Sequence, residues 1–429
     1  MLHYKNPAVK ELLLQCNVGL EKESLRITGD GRMARTRHPF DPDDPRITRD
    51  FCENQTEINT SPCQTAREAV AELGRLTRTV QETLSQLPNR EYLWPFSNPP
   101  YLADEEDVPV AIFEGARASK TTYREHLAAT YGRLKMAFCG IHFNFSFGDD
   151  LLRANFNASG DADFQTHKNE LYLNVAEKVA AYGWLVTAAT AASPALDGSF
   201  LTQGLRDGDA FVGMASPRCS ELGYWNHFTP ILNYDDVRSY AASIRRYVDE
   251  DLIKSPTELY YPVRLKPRGL NNLQTLSDEG VNHVELRMFD LNPLVLEGLD
   301  ARDATFAQLL LVFLASTPRR RLTARAQVRA AQNFKNAARF DLSLVKVLTP
   351  NDAACPMLDA GRTIVAQMKK FFADQSAEVL EALEFQESKF VDPENRYADK
   401  VLKLYGVDFW RKGIELAKRR QAEALMTPY

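Results

Sequence analysis

Apolar residues recur along this chain with two periods, and the change of period separates helices from strands. Between 68 and 87, Val70, Leu73, Leu76, Val80 and Leu84 share one helical face after a turn at Ser61-Pro62. Helical spacing also predicts helices over 170–192, 235–249, 302–313 and 319–336. Beyond these, 359–383 and 398–425 read as two or three helices, making 340–429 a helical C-terminal part. Strict alternation marks three strands. In 17–27, Leu20, Lys22 and Ser24 take one parity and Glu21, Glu23 and Leu25 the other. In 141–147, Ile141, Phe143, Phe145 and Phe147 oppose His142, Asn144 and Ser146. In 281–291, Val284, Leu286 and Met288 oppose Glu285, Arg287 and Phe289. Strands so far apart, with helices around them, predict an α+β fold. Its sheet should be antiparallel, greasy under the helices and polar towards a cavity. The stretches 103–120, 149–165, 203–217 and 267–279 read as loops at the mouth of that cavity.

Composition changes this picture little. The 429 residues are 44% hydrophobic and 25% charged, as in ordinary globular proteins. No repeat or linker divides them, so 1–429 reads as one catalytic domain. A net charge of −5 gives no basic face for nucleic acid. The richest apolar run, 180–195, is too short to span a bilayer. Six scattered cysteines with no CxxC pair match neither a zinc site nor a redox motif, and predict reduced thiols in a cytoplasmic protein.

Three segments carry candidate chemistry. Glu21 and Glu23 project from one strand face roughly 6.6 Å apart. At about 5 Å two such charges repel by roughly 3 kcal/mol at an effective dielectric of about 20, so the pair needs solvent or a cation. A solvated edge strand fits the fragment as well as a metal site does. Asp50, Glu53 and Glu57 sit among Phe51, Ile58 and Pro62; an acidic turn leading into the 68–87 helix accounts for them equally. Glu285 and Arg287 share a face, ahead of Asp290 and Asn292. That arrangement suits either a metal ligand beside a phosphate-gripping arginine or a structural ion pair. Hard oxygen ligands with basic neighbours favour magnesium shared with substrate phosphates. No GxxxxGK[ST] loop and no GxSxG elbow is present, which argues against a Walker-type nucleotide fold and a serine hydrolase.

Taken in order, these motifs resemble the bacterial glutamate–cysteine ligase family. GLEKESLR at 19–26, GRMARTRHP at 31–39, ITRDFCENQTE at 47–57 and WPFSNPPYL at 94–102 open the series. Tyr123-Arg124, GIHFNFS at 140–146, ASPA at 192–195 and RCSELGY at 218–224 continue it. ELYYPVRLK at 258–266 and ELRMFDLNP at 285–293 complete it. The length is closest to the ligase module of the bifunctional glutathione synthases.

The resemblance implies a glutamine-synthetase-like fold whose antiparallel sheet forms a funnel. It implies metal ligands at Glu21, Glu23, Asp50, Glu57 and Glu285, for magnesium or its substitute manganese. Arg287 and Arg124 fall where a transferred phosphoryl group is stabilised, and His142 near nucleotide and metals. Arg218 matches a substrate-carboxylate contact; Phe51, Tyr123, Tyr224 and Tyr260 match the lining of an amino-acid pocket, where core packing alone would otherwise explain them. Asn98, Pro217 and Trp225 depart from the family pattern and could reshape that pocket. The implied partners are small molecules, namely ATP, glutamate and cysteine, with no nucleic acid or membrane. The implied reaction is ATP-dependent ligation through γ-glutamyl phosphate. Alternatives are a different small amine as acceptor, a catalytically silent nucleotide-binding relative, or a guanidino phosphotransferase.

Overall fold

A computed structural model describes residues 1–202, 208–349 and 353–426. At its centre is a seven-stranded sheet: β1 Cys16–Thr28, β2 Ile47–Arg49, β3 Gln55–Asn59, β4 Glu91–Leu93, β5 Ile141–Phe147, β6 Val263–Lys266 and β7 His283–Phe289. The spatial order is β2-β3-β1-β5-β7-β6, with β4 paired to the far end of β1. Every pairing is antiparallel, as the alternation predicted.

Register places the polar face. Glu21 lies opposite His142, Glu23 opposite Glu57, and Glu285 opposite both Asn144 and Arg264. Because side chains alternate, these pairings gather one parity from five strands on a single surface. The other parity, including Val18, Leu20, Phe143, Phe145, Val284 and Leu286, is fully buried. Helices Ala66–Ser85 and Phe164–Tyr182 pack on it, and Ala301–Ser316 packs against both of them. Thr65 caps the first of these by accepting from the Glu68 N–H, while the Glu68 side chain returns to the Gln64 N–H. Lys22 is the polar intruder on this face; its ammonium donates to Thr77 Oγ1, and burial lowers its pKa to about 8.

The alternation breaks in β7. Ile141 pairs with Phe289 but Phe143 with Leu286, so one extra residue is inserted around Arg287-Met288. Phe289, expected beside Glu285, is therefore turned into the core, its ring 6.0 Å from that of Phe143. Several expected loops are ordered elements. The 149–165 stretch contains helix Asp149–Ser159, and 267–279 contains Leu273–Glu279. Helix Ser119–Tyr131 follows the 103–120 loop. Residues 203–207 of the expected 203–217 loop lie outside the described residues. The 170–192 helix divides at Gly183 into Phe164–Tyr182 and Trp184–Thr190. The 319–336 helix begins only at Ala324, after the Thr323 cap, because Arg319 is drawn to Glu177 at 3.3 Å.

Among the described residues the C-terminal part contains four α-helices, Met357–Phe371, Ala377–Val391, Tyr397–Tyr405 and Phe409–Met426. The last packs on Trp94, edge-on to Phe409 at 5.6 Å, and a Cβ on Gly413 would lie 2.1 Å from the Trp94 ring. Among the described residues no helix is long and apolar enough to cross a membrane.

Candidate active site

On the polar face of the sheet, Glu21 is the hub of a compact cluster. Its Oε2 lies 2.9 Å from His142 Nδ1, and its Oε1 accepts from Asn144 Nδ2 at 2.8 Å. Glu285 is ringed by cations, with Arg287 at 3.4 Å, Lys266 at 3.5 Å and Arg264 at 3.6 Å. Glu21, His142 and Glu285 each present a ligand atom within 4.8 Å of the other two. Glu21 is 31% exposed and Glu285 2%, so the cluster runs from an open rim to a buried floor.

Electrostatics separate these carboxylates. Burial pushes the Glu21 carboxyl up, but the His142 hydrogen bond and the Lys266 charge bring it below its ordinary value. Burial also opposes ionisation of Glu285, yet Lys266, Arg287 and Arg264 hold it well below the carboxylate range. Glu23 behaves oppositely: burial and the nearby Asp50 charge raise it, although Gly140 N–H donates to its Oε2 at 3.0 Å. Across the strand pair, Glu57 is pushed up to about 8 by burial, then by Asp50 and Glu21. Glu23, Asp50 and Glu57 thus form a second acidic group, with His142 3.5 Å from Glu23 and Arg124 3.6 Å from Asp50.

This chemistry fits a cation. His142 Nε2 and Glu285 Oε2 are buried and have no hydrogen-bond partner among the described residues. Glu285 Oε2 is nevertheless held by ion pairs to Arg287 and Arg264, which leaves His142 Nε2, 3.5 Å from Glu23 Oε1, as the buried atom that a bound group would satisfy. Carboxylate oxygens joined by one imidazole suit a hard divalent ion.

Beside the cluster is a small open cavity lined by Arg218, Cys219, Tyr224, Trp225, Tyr260, Tyr261 and Arg287. Arg218 donates to the carbonyl of Arg287 at 3.0 Å, one of the backbone groups re-aimed by the β7 bulge. Its guanidinium lies against Gly140, where a Cβ would fall 2.3 Å from Cζ. Tyr260 packs edge-on to Tyr224 at 4.9 Å, and burial and Glu23 raise the Tyr224 phenol to about 12. Arg287, 3.3 Å from His142 Nδ1, borders both the carboxylate cluster and this cavity.

The remaining expected residues lie around this centre. Arg124 is 3.6 Å from the Asp50 carboxylate, with its Nε on the Asp50 carbonyl and its guanidinium 4.7 Å from the Phe113 ring centre. Tyr123 meets Thr257 and Ser255 through its hydroxyl. Neither Tyr123 nor Phe51 lines the cavity; Phe51 is buried, its backbone tied to Gln55 and Ala111. Glu53 serves structure, accepting from the His38 and Ile112 N–H groups at 2.9 Å. Asn98 ties down the loop carrying Ser193 and Ala195 by donating to both carbonyls, and of the three departures only Trp225 lines the cavity. Sequence reasoning missed Asn144, Arg264 and Lys266 as members of the site. The signal was present: Arg264 and Lys266 share one parity of a strand, and Asn144 shares the parity of His142.

One face of the antiparallel sheet thus presents carboxylates, an imidazole and arginines beside an aromatic cavity. The sequence profile of the glutamate–cysteine ligase family matches residues 2–254 and 246–337. Glutathione biosynthesis bifunctional protein GshAB of Listeria monocytogenes is 33% identical over 413 residues, 92% of this chain and 53% of that protein. GshAB of Clostridium perfringens is 30% identical over 389 residues, 88% of this chain and 49% of that one. The crystal structure of a bifunctional glutathione synthetase from Pasteurella multocida superposes with a TM-score of 0.85 at 26% identity, covering 98% of this chain and 54% of that one. Glutamate–cysteine ligase from Francisella tularensis, solved in complex with AMP, shares the fold with a TM-score of 0.87 at 22% identity, covering 96% and 89%. The chain belongs to the glutamate–cysteine ligase family. It spans about half the length of the curated bifunctional relatives it matches.

Proposed function

We propose that this chain joins the γ-carboxylate of L-glutamate to the amino group of L-cysteine, with ATP converted to ADP and phosphate. The product is γ-glutamylcysteine. One observation carries the reading: the Glu21, His142 and Glu285 cluster shares Arg287 with an aromatic-walled cavity. A phosphoryl-transfer centre and an acceptor pocket are then adjacent, as two-step amide synthesis needs. Membership of the glutamate–cysteine ligase family, and the AMP held by the Francisella enzyme, agree with it.

Glu21, His142 and Glu285 would hold one magnesium ion, and Glu23, Asp50 and Glu57 a second. The bound ions would neutralise charge on the ATP phosphates. Arg287 and Arg124 would steady the γ-phosphoryl group while a glutamate γ-carboxylate oxygen attacks its phosphorus and ADP leaves. Arg218 would hold a substrate carboxylate. The cysteine nitrogen, having lost its extra proton, then attacks the acyl carbon and expels phosphate, while Tyr224, Tyr260 and Trp225 wall off its side chain. No covalent enzyme intermediate is required; the chain positions reactants and offsets charge. The six free cysteines, four of them buried, suit a reducing cytoplasmic setting.

The test is ADP release from ATP and magnesium with glutamate and a panel of amines. Release that depends on both glutamate and cysteine is expected. Release without glutamate overturns the ligase reading, and release with glutamate plus only another amine overturns the acceptor alone.

A further inference from the structure

The 258–266 motif begins with an acidic residue that the proposed reaction leaves unused. Glu258 is 1% exposed, yet it is not among the carboxylates of the cation cluster. Its Oε1 accepts from the Tyr131 hydroxyl at 2.8 Å, and its Oε2 accepts from the Lys254 N–H at 2.7 Å and lies 3.3 Å from His126 Nε2. Asn226 closes the frame: its Nδ2 donates to the Tyr131 hydroxyl at 3.1 Å and to the Glu258 carbonyl at 2.8 Å. Its Oδ1 accepts from the Tyr260 N–H at 2.9 Å.

This frame ends on the cavity wall. Tyr131 meets Tyr260 edge-on at 5.3 Å, and Tyr260 meets Tyr224 at 4.9 Å. On the other side His126 stacks on Tyr123 at 6.5 Å. The Glu258 carboxylate thus ties the Ser119–Tyr131 helix to the 254–260 turn, and the strip holding Tyr224 and Asn226 joins them through the Tyr131 hydroxyl and the Glu258 carbonyl. Each supplies an aromatic residue to the region around the cavity. Arg264, beside Glu285, donates to the Leu259 and Thr257 carbonyls of this turn, whereas no hydrogen bond among those described runs from the cation cluster to the Glu258 carboxylate. A buried carboxylate is retained at a cost unless it organises its surroundings.

We propose that Glu258 is the positioning residue of the acceptor pocket, setting the Tyr260 wall through Tyr131 and Asn226. This rests on the reading of the cavity as the acceptor site. Glu258 touches neither substrate, and its effect falls on binding of the amine rather than on activation of glutamate.

The test compares wild type, E258A, E258Q and the milder Y131F with two acceptors. Hydroxylamine is small enough to trap γ-glutamyl phosphate without using the aromatic wall; cysteine uses it. In E258A the KM for cysteine should rise about tenfold, the effect of losing one hydrogen bond to a charged group. The KM for glutamate and ATP, and the rate with hydroxylamine, should stay within about twofold, well below the tenfold step that such a bond is worth. Y131F should show the same split more weakly, and E258Q, which keeps the acceptor oxygen, should recover most of the cysteine KM. An unchanged cysteine KM in E258A and Y131F, or equal losses with both acceptors, overturns the inference while a working wild type preserves the ligase reading. A wild-type chain that forms no ADP with glutamate and either acceptor overturns both.

Discussion

Replacing Glu285 by Gln removes one charge from the centre of three cations. Lys266 at 3.5 Å and Arg287 at 3.4 Å each attract the carboxylate by about 5 kcal/mol at an effective dielectric of about 20. Desolvation of the buried groups cancels most of that, so the net loss on breaking such a set is about 3–5 kcal/mol. Arg264, whose guanidinium pKa is already lowered by burial and by Arg287, is left with no counter-ion. E285Q should therefore unfold at clearly lower urea in the absence of ligand, and not merely lose activity. Turnover should fall by about a hundredfold or more, since a ligand and charge partner at the phosphoryl centre is gone. Adding K266M to E285Q removes one uncompensated cation, so it should restore part of the stability and none of the turnover. The measurements are urea midpoints at fixed pH and ADP release at saturating substrates. E285Q with wild-type midpoint and turnover would refute the placement of Glu285. A double variant no more stable than the single would refute charge imbalance as the cause.

Two further outcomes follow from the geometry. G140A puts a Cβ 2.3 Å from Arg218 Cζ and 2.5 Å from its Nε, while the guanidinium is held by the Arg287 carbonyl. Overpacking should cost about 1–3 kcal/mol and raise a substrate KM by displacing Arg218, and unchanged urea midpoint and KM would contradict this. Asp290, accepting from Ser216 Oγ and the Ala192 N–H, is raised from 3.8 to about 6 by burial. A raised carboxyl stabilises below its unfolded pKa and loses that contribution as pH rises through the folded value. Wild-type stability minus that of D290N should thus fall by about 3 kcal/mol between about pH 4 and about pH 8. A flat difference in urea unfolding across that range would count against it.

The amphipathic patterns of β1, β5 and β7 were legible in the sequence because a strand repeats every two residues. From that period alone it follows that Glu21 shares a face with Glu23, His142 with Asn144, and Glu285 with Arg287. The family followed from the order of the motifs, and the antiparallel α+β class from the spacing of strands and helices. What the chain could not reveal locally is register, since which residue lies opposite which depends on contacts between separate segments, as between Glu21 and His142 or Asn144 and Glu285. Tertiary structure placed His142 beside Glu21, and surrounded Glu285 with Arg264 and Lys266 from β6. It inserted the β7 bulge that sends Phe289 into the core and points a carbonyl at Arg218. It also set Glu258 against Tyr131 and His126, and Asn226 between Tyr131 and Tyr260. Period is a property of neighbours along the chain, whereas register, burial and charge balance are properties of neighbours in space.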